Sequence, residues 1–330
     1  MFKTSPQRTF DNFENRILIT GGAGFVGSHL ADSIVKRNAK DLVVVADNFF
    51  LGHENNLNIF MECDNGVVER VDISSQSALF HIIRKYSINT IWNLAVVPLP
   101  TSLSYPEWTI TNNINCAIAI CEASRFFKNL RIVNFSSSET YGTALKVPMD
   151  ESHPIRPETP YAASKASTDL IFDSYSRTFN IPILTLKPFN MYGPRQNKGS
   201  YAGIIPIIIN KLIKNETIEI FGDGTQTRDF VYVKDSVFAA LVVEEMWIGN
   251  TSETFNIGTQ VETSINNLIK IISNEYGKID PKIVYVPRRQ GDVQRHCACV
   301  TKFKSFTNHD IPSFTAKSIN ETIDWYKLNA

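Results

Sequence analysis

The sequence predicts an α/β fold: a doubly wound parallel sheet with a smaller, interleaved C-terminal lobe. Three observations predict it. Apolar, β-rich runs recur through the first half, stretches with helical spacing separate them, and the first run ends in glycines. Strands that read as near-continuous apolar runs are buried on both faces, as in a parallel sheet covered by helices.

The elements follow in order. Arg16–Thr20 (RILIT) is a short strand, and Phe25–Asn38 follows with helical spacing. Asp41–Ala46 (DLVVVA) is a second buried strand; Val67–Ile73, Thr90–Ala95 and Arg131–Ser136 are three more. Helices are expected near Ser75–Tyr86 and Thr111–Lys128. A long helix after Tyr161 leads to a strand at Ile181–Pro188. Beyond it the pattern loosens. Gly, Pro and Asn cluster at Asn190–Gly203, short strands are expected near Thr217–Phe221 and Ile283–Val286, and the chain returns to the sheet around Phe255–Gly258. Residues 1–188, with segments near 229–260, are therefore assigned to the sheet domain, and 189–228 with 261–330 to the smaller lobe. A sheet of this kind places ligands at the carboxyl ends of its strands.

Composition excludes several partners. Lys and Arg total 33, Asp and Glu total 33, and the formal net charge is zero. That balance argues against nucleic acid or an anionic membrane surface as the main partner. The first residues, MFKTSPQRTFDNFENR, are polar and mixed in charge and do not read as a signal peptide. The densest apolar run, Ile204–Ile209, is far too short to cross a bilayer. Five cysteines without a framework spacing point to reduced thiols and a cytoplasmic location. His296-Cys297-Ala298-Cys299 has neither the spacing nor the second cluster of a metal site, so no metal is expected.

Thr20-Gly21-Gly22-Ala23-Gly24-Phe25-Val26-Gly27 lies between a predicted strand and a predicted helix. Glycine permits positive φ and lets the backbone approach a pyrophosphate, while the helix start offers free N–H groups and a positive dipole end. A bare glycine motif also fits an ordinary tight turn. Here Asp47 closes the second strand, about 20 residues past the turn, where an acid grips ribose hydroxyls. A carboxylate there repels a 2′-phosphate, which favours NAD over NADP. Gly21, Gly24, Phe25, Val26, Gly27, Asp47 and Asn48 are thus candidate cofactor residues. Asp72, Ile73, Leu94 and Ala95 join them by position at the next strand ends, although Asp72 could simply cap a helix.

Tyr161 and Lys165 stand four apart in a predicted helix, so phenol and ammonium share a face. A nearby cation favours the phenolate, which makes Tyr161 a candidate base for a hydroxyl. The strand at Arg131–Ser136 ends in Ser136-Ser137-Ser138-Glu139-Thr140-Tyr141-Gly142, and its serines reach the same crevice. Serine-rich ends are also common caps and turns.

These residues together resemble the extended short-chain dehydrogenase/reductases, specifically their nucleotide-sugar epimerase/dehydratase group. The resemblance runs over nearly the whole chain through TGGAGFVGSHL, SSSETYG, PYAASK, LKPFNMYGPRQ, FGDGTQTRDFVYVKD, FNIG and RRQGDV. It implies a Rossmann-type NAD domain, a nucleotide-diphosphate-sugar substrate and a homodimer. It further implies Tyr161 as catalytic acid/base, Lys165 as its helper and cofactor-ribose ligand, and Ser137 as the group aligning the sugar hydroxyl. Asn190, Arg228 and Arg289 are implied near the substrate diphosphate, a task that suits guanidinium groups. Departures are present. Asn93-Leu94-Ala95-Val96 replaces the usual H-x-A-A, Val97–Ser102 forms an unusual substrate loop, and Lys187 stands where the resemblance implies arginine.

The resemblance implies hydride transfer from carbon 4 to give a 4-keto sugar. Return of hydride to the other face gives a 4-epimer, and this reading, with a UDP-sugar, is favoured. The dTDP-glucose dehydratases carry Asp-Glu where this chain has Ser138-Glu139, which removes the acid that assists loss of water. Glu139 still keeps a 4,6-dehydratase or a UDP-glucuronate decarboxylase-like enzyme as the alternative. A non-catalytic NAD sensor is the remote reading, opposed by the retained Tyr161 and Lys165.

Overall fold

Seven parallel strands form the central sheet in the order β10-β6-β5-β4-β1-β2-β3. They are β1 (Arg16–Thr20), β2 (Leu42–Asp47), β3 (Gly66–Arg70), β4 (Thr90–Asn93), β5 (Arg131–Phe135), β6 (Ile183–Pro188) and β10 (Glu253–Ile257). The structure is a computed structural model and describes residues 13–198, 203–249, 251–288 and 293–329. Successive side chains of a strand point to opposite faces. Ile17, Ile19, Val43 and Val45 accordingly pack in one core cluster, and Leu18, Val44 and Ala46 in the cluster on the other face. Both faces are covered, so the runs are apolar throughout.

The chain leaves β1 in one direction toward β2 and β3, and later fills the other side through β4, β5 and β6. The two crossover directions part between β1 and β4, which opens a crevice at their carboxyl ends. Gly21, Asp47, Leu94, Ser136 and Asn190 all lie at or just past strand ends on this one edge.

The lobe holds two small sheets. One orders β7 (Asn190–Tyr192), β9 (Thr227–Tyr232) and β11 (Glu262–Ser264) as β11-β9-β7; the other pairs β8 (Ile218–Phe221) with β12 (Ile283–Val286). Its core joins Ile205, Ile208 and Ile209 to Leu268, Ile269 and Ile323. The lobes are interleaved more finely than expected. β9 pairs within the lobe, while the Val233–Met246 helix and β10 rejoin the main sheet. Ala298, Val300 and Phe303, expected in the lobe, pack in the main core.

Two segments differ from expectation for local reasons. The expected strand Val67–Ile73 ends at Arg70, because Asp72 Oδ1 accepts the Ser74 N–H at 2.9 Å and turns the chain. The Val97–Ser102 segment is no open loop: Leu99–Ser104 is helical, and the next helix runs Pro106–Phe126. Pro100 and Pro106 occupy first-turn positions, where a fixed φ is favourable and a missing N–H costs nothing. Among the described residues, no helix is long and apolar enough to cross a membrane.

Candidate active site

The carboxyl edge of the sheet opens into a cleft of about 980 Å³, with Ile204, Phe221 and Phe230 of the lobe on its far wall. Gly21 turns there with φ +67°, which side chains resist. A Cβ on Gly21 would lie 2.8 Å from the Ala95 backbone, and one on Gly27 would lie 2.2 Å from the Gly21 carbonyl oxygen. Glycine alone lets the Phe25–Arg37 helix start this close to the strand. No side chain caps that helix, and Gly24, Phe25, Val26 and Gly27 line the cleft. First-turn N–H groups have no acceptor within their own helix, and this cradle fits a pyrophosphate.

Asp47 is 6% exposed. Its Oδ2 accepts the Ala23 N–H at 2.9 Å and its Oδ1 the Phe49 N–H at 2.7 Å. Burial pushes the carboxyl above its ordinary value, while those two donors and Arg70 pull it back. A carboxylate offers about four acceptor positions, so capacity remains for ribose hydroxyls. Asn48, exposed Asp72, buried Ile73, Leu94 and Ala95 also line the cleft. The Leu94 and Ala95 N–H groups donate to Thr20 Oγ1 at 3.1 and 3.2 Å, which ties the ends of β1 and β4 together.

The chemical centre forms where the Pro160–Phe179 helix meets the end of β5. Thr159 caps this helix by accepting the Ala162 N–H at 3.1 Å, and Pro160 occupies its first turn. Tyr161, Lys165, Ser137 and Glu139 all line the cleft, and Ser137 hydrogen-bonds the phenol of Tyr161. Burial dominates the charge state of both groups. Tyr161 is pushed up to about 12, first by burial and then by Glu139 and Asp169, with only Ser137 opposing. The Lys165 ammonium, 5% exposed, donates to the Phe135 carbonyl at 2.5 Å, and burial pulls it down to about 8.

On the substrate side, Asn190 lines the cleft, and its buried Oδ1 has no hydrogen-bond partner among the described residues. Arg228 is not among the described residues lining the cleft; its Nη1 donates to the Thr227 carbonyl at 2.9 Å. Arg289 lies outside the described residues. His296 is buried, shares a hydrogen bond with the Ser138 carbonyl at 3.1 Å and is pulled down to about 4 by burial and Arg228. All five cysteines are free thiols, and no metal-ligating cluster occurs among the described residues.

Sequence reasoning missed Phe50, Trp108 and Asn112, all of which line the cleft. Phe50 and Trp108 meet edge to face with ring centroids 5.0 Å apart. The signal was the proline at the start of the Pro106–Phe126 helix, which places Trp108 and Asn112 on successive turns.

Comparisons with known proteins agree with this geometry. A family model described as GDP-mannose 4,6 dehydratase matches residues 18–318. A Methanocaldococcus jannaschii protein provisionally named UDP-glucose 4-epimerase is 36% identical over 95% of this chain and 99% of its own length. The solved structure of Thermotoga maritima UDP-glucose 4-epimerase with UDP-glucose is 29% identical, covers 95% of this chain and 99% of its own, and superposes with a TM-score of 0.87. The Bacillus anthracis dTDP-glucose 4,6-dehydratase in complex with NAD is 26% identical over 96% of this chain and 97% of its own, with a TM-score of 0.84.

Proposed function

Because this chain belongs to the NAD-dependent sugar epimerase/dehydratase family of extended short-chain dehydrogenase/reductases, we propose that it is a nucleotide-sugar 4-epimerase, with NAD as cofactor and a UDP-sugar as substrate. The observation that carries the reading is the convergence of Tyr161, Ser137 and Lys165 in the cleft that also holds the glycine turn and Asp47. NAD bound against that turn supplies a hydride acceptor and a positive charge beside the phenol. Tyr161 then takes the proton of the carbon 4 hydroxyl, while Ser137 holds both oxygens in line. A hydrogen bond that strengthens as charge develops lowers the barrier, and such acid–base assistance contributes about 10²–10⁴-fold. Lys165 keeps its charge at neutral pH, below its value of about 8, and steadies the phenolate side of the transfer. The carbon 4 hydride would pass to the NAD held there, and its return to the opposite face of the 4-keto sugar, with the Tyr161 proton restored to oxygen 4, would give the epimer.

Asn190, Arg228 and Arg289 are the proposed holders of the diphosphate, Arg228 by leaving its contact with the Thr227 carbonyl. Residues 1–188 with the returning helix and β10 are assigned to NAD binding, and the rest of the lobe to the nucleotide sugar. Free thiols fit a cytoplasmic setting. Exposed Ile118, Phe126, Leu170 and Phe179, on the paired Pro106–Phe126 and Pro160–Phe179 helices, fit a homodimer contact.

Glu139 supports a second reading. It lines the cleft and is near enough to raise Tyr161, so it could act as the base of a 4,6-dehydratase. Incubation with UDP-, GDP- and dTDP-sugars, read by NMR and mass spectrometry, separates the two. A product of unchanged mass with inverted carbon 4, lost in Tyr161→Phe, is expected. A product lighter by one water, lost in Glu139→Gln, would make the enzyme a dehydratase.

A further inference from the structure

Beneath the cleft lies a polar cluster whose cation and anion are not among the described residues lining it. Lys187, at the end of β6, is 5% exposed. Its Nζ stands 3.1 Å from Asp169 Oδ2, donates to Thr140 Oγ1 at 3.0 Å, and lies 4.5 Å from the centroid of the Tyr141 ring. The Thr140 hydroxyl in turn donates to the Ser137 carbonyl at 2.9 Å. Asp169 accepts the Ser136 hydroxyl at 2.7 Å and the Asn134 amide at 3.3 Å.

These bonds grip the serine strand end from both sides. Ser136 is held through Asp169, and Ser137 through Thr140 and Lys187. Glu139 sits between Ser137 and Thr140, which that hydrogen bond ties together, in the turn Ser138–Tyr141. Asp169 stands one helical turn past Lys165, whose ammonium is bonded to the Phe135 carbonyl of the same strand. One ion pair thus joins β5, the Glu139 turn, the Pro160–Phe179 helix and β6. A buried ion pair rarely stabilises more than packed apolar side chains would, because desolvation offsets its attraction. What it adds is direction, which an apolar contact lacks.

We propose that the buried Lys187–Asp169 pair is the positioning element of the active site, holding Ser137, Glu139 and Lys165 in register from below. The inference rests on the reaction proposed above only for its kinetic readout. The groups facing the Lys165 ammonium are Asp169 on its own helix, Cys116 on the Pro106–Phe126 helix and Lys187 on β6. Cys116 is a neutral thiol, pushed up to about 12. Asp169 attracts the ammonium and Lys187 repels it, the attraction being the larger. The two members of the pair therefore act on Lys165 with opposite sign.

The experiment titrates full-length protein carrying ¹³C-labelled lysine by NMR, with Lys165→Arg to assign the resonance. Lys187→Met should raise the Lys165 midpoint by about one pH unit, and Asp169→Asn should lower it by a similar amount, the size expected for a nearby charge. Lys187→Arg keeps the charge and should stay near the wild-type midpoint. In parallel, turnover of UDP-glucose should lose about 10²-fold in kcat in Lys187→Met with little change in KM, and recover largely in Lys187→Arg. Midpoints that do not move, or that move together in one direction, would overturn the proposal even if turnover continues. Opposed midpoints without turnover by the wild type would leave the pair standing and remove UDP-glucose as the substrate. If Lys187→Met does not fold, Asp169→Asn and Lys187→Arg decide the case by the same signs.

Discussion

Two alanine substitutions in the glycine turn separate stability from cofactor binding. Gly27→Ala places a methyl 2.2 Å from the Gly21 carbonyl oxygen, 2.8 Å from the Gly22 Cα and 2.9 Å from the Gly21 carbonyl carbon. All three neighbours are backbone, so the helix and the turn must part by about 1 Å to restore ordinary contact. Overpacking of this kind costs about 1–3 kcal/mol. For a chain of this size that is a fall in Tm of roughly 1–4 °C. The same movement carries the first-turn N–H groups off the pyrophosphate. Two hydrogen bonds to a charged group, at about 1.5–3 kcal/mol each, are then lost or weakened. A loss of about 3 kcal/mol is roughly a hundredfold in NAD affinity. Gly24→Ala behaves differently. Gly24 has φ −75°, and its Cβ would meet a single atom, the Gly21 carbonyl oxygen, at 3.1 Å. The fold gives by a few tenths of an ångström, and the cost is near the ~1 kcal/mol of an alanine N-cap. The methyl nonetheless stands where backbone must approach phosphate, so NAD affinity should fall comparably. Calorimetric NAD titration and thermal unfolding by circular dichroism measure both quantities. Wild-type NAD affinity in Gly24→Ala would refute the placement of the pyrophosphate against this turn.

Other perturbations have equally definite outcomes. Asp47→Asn puts an amide N–H₂ against the Ala23 or Phe49 N–H, leaving one donor unmatched at about 1–3 kcal/mol; relative NADP binding should rise at least about tenfold as the repelling charge is lost, read by competitive titration of the two cofactors. Lys165→Met should stabilise the protein while abolishing turnover. Lys165 falls from its ordinary 10.5 to about 8 on folding, which at about 1.4 kcal/mol per pH unit is a penalty of about 3 kcal/mol. A depressed lysine makes the unfolded state the better proton binder between those values, so the penalty is complete below pH 8 and fades as pH rises toward 10.5. The gain in Tm should therefore be largest at pH 7 and vanish near pH 10.5; a gain independent of pH would show that the buried charge is not its source.

The parts of the site legible in the sequence are those whose chemistry sits on one element. The glycine turn, Asp47 and the Tyr161/Lys165 spacing each belong to a strand end or a single helix, and all line the cleft. Spacing places side chains on a common face but leaves open what surrounds them. Lys165 shares a face with Tyr161, yet its Nζ also donates to the Phe135 carbonyl and is buried, neither of which the spacing reveals. Arg228 sits on β9, a strand the sequence reading did not expect, and its guanidinium donates to the Thr227 carbonyl. Lys187 reads in the sequence only as a departure from arginine. Its partners Asp169 and Thr140 come from a helix and a turn that the sheet brings together. Charge states depend on such distant neighbours and on the solvent they exclude. Residue identity at a motif therefore tells which proton can move. Whether it moves near neutral pH is decided by burial and by groups with no sequence relation to the motif. Tyr161 illustrates the division: burial pushes it up to about 12, and in the proposed reaction the positive charge of bound NAD beside the phenol, present until the hydride arrives, would be what favours the phenolate.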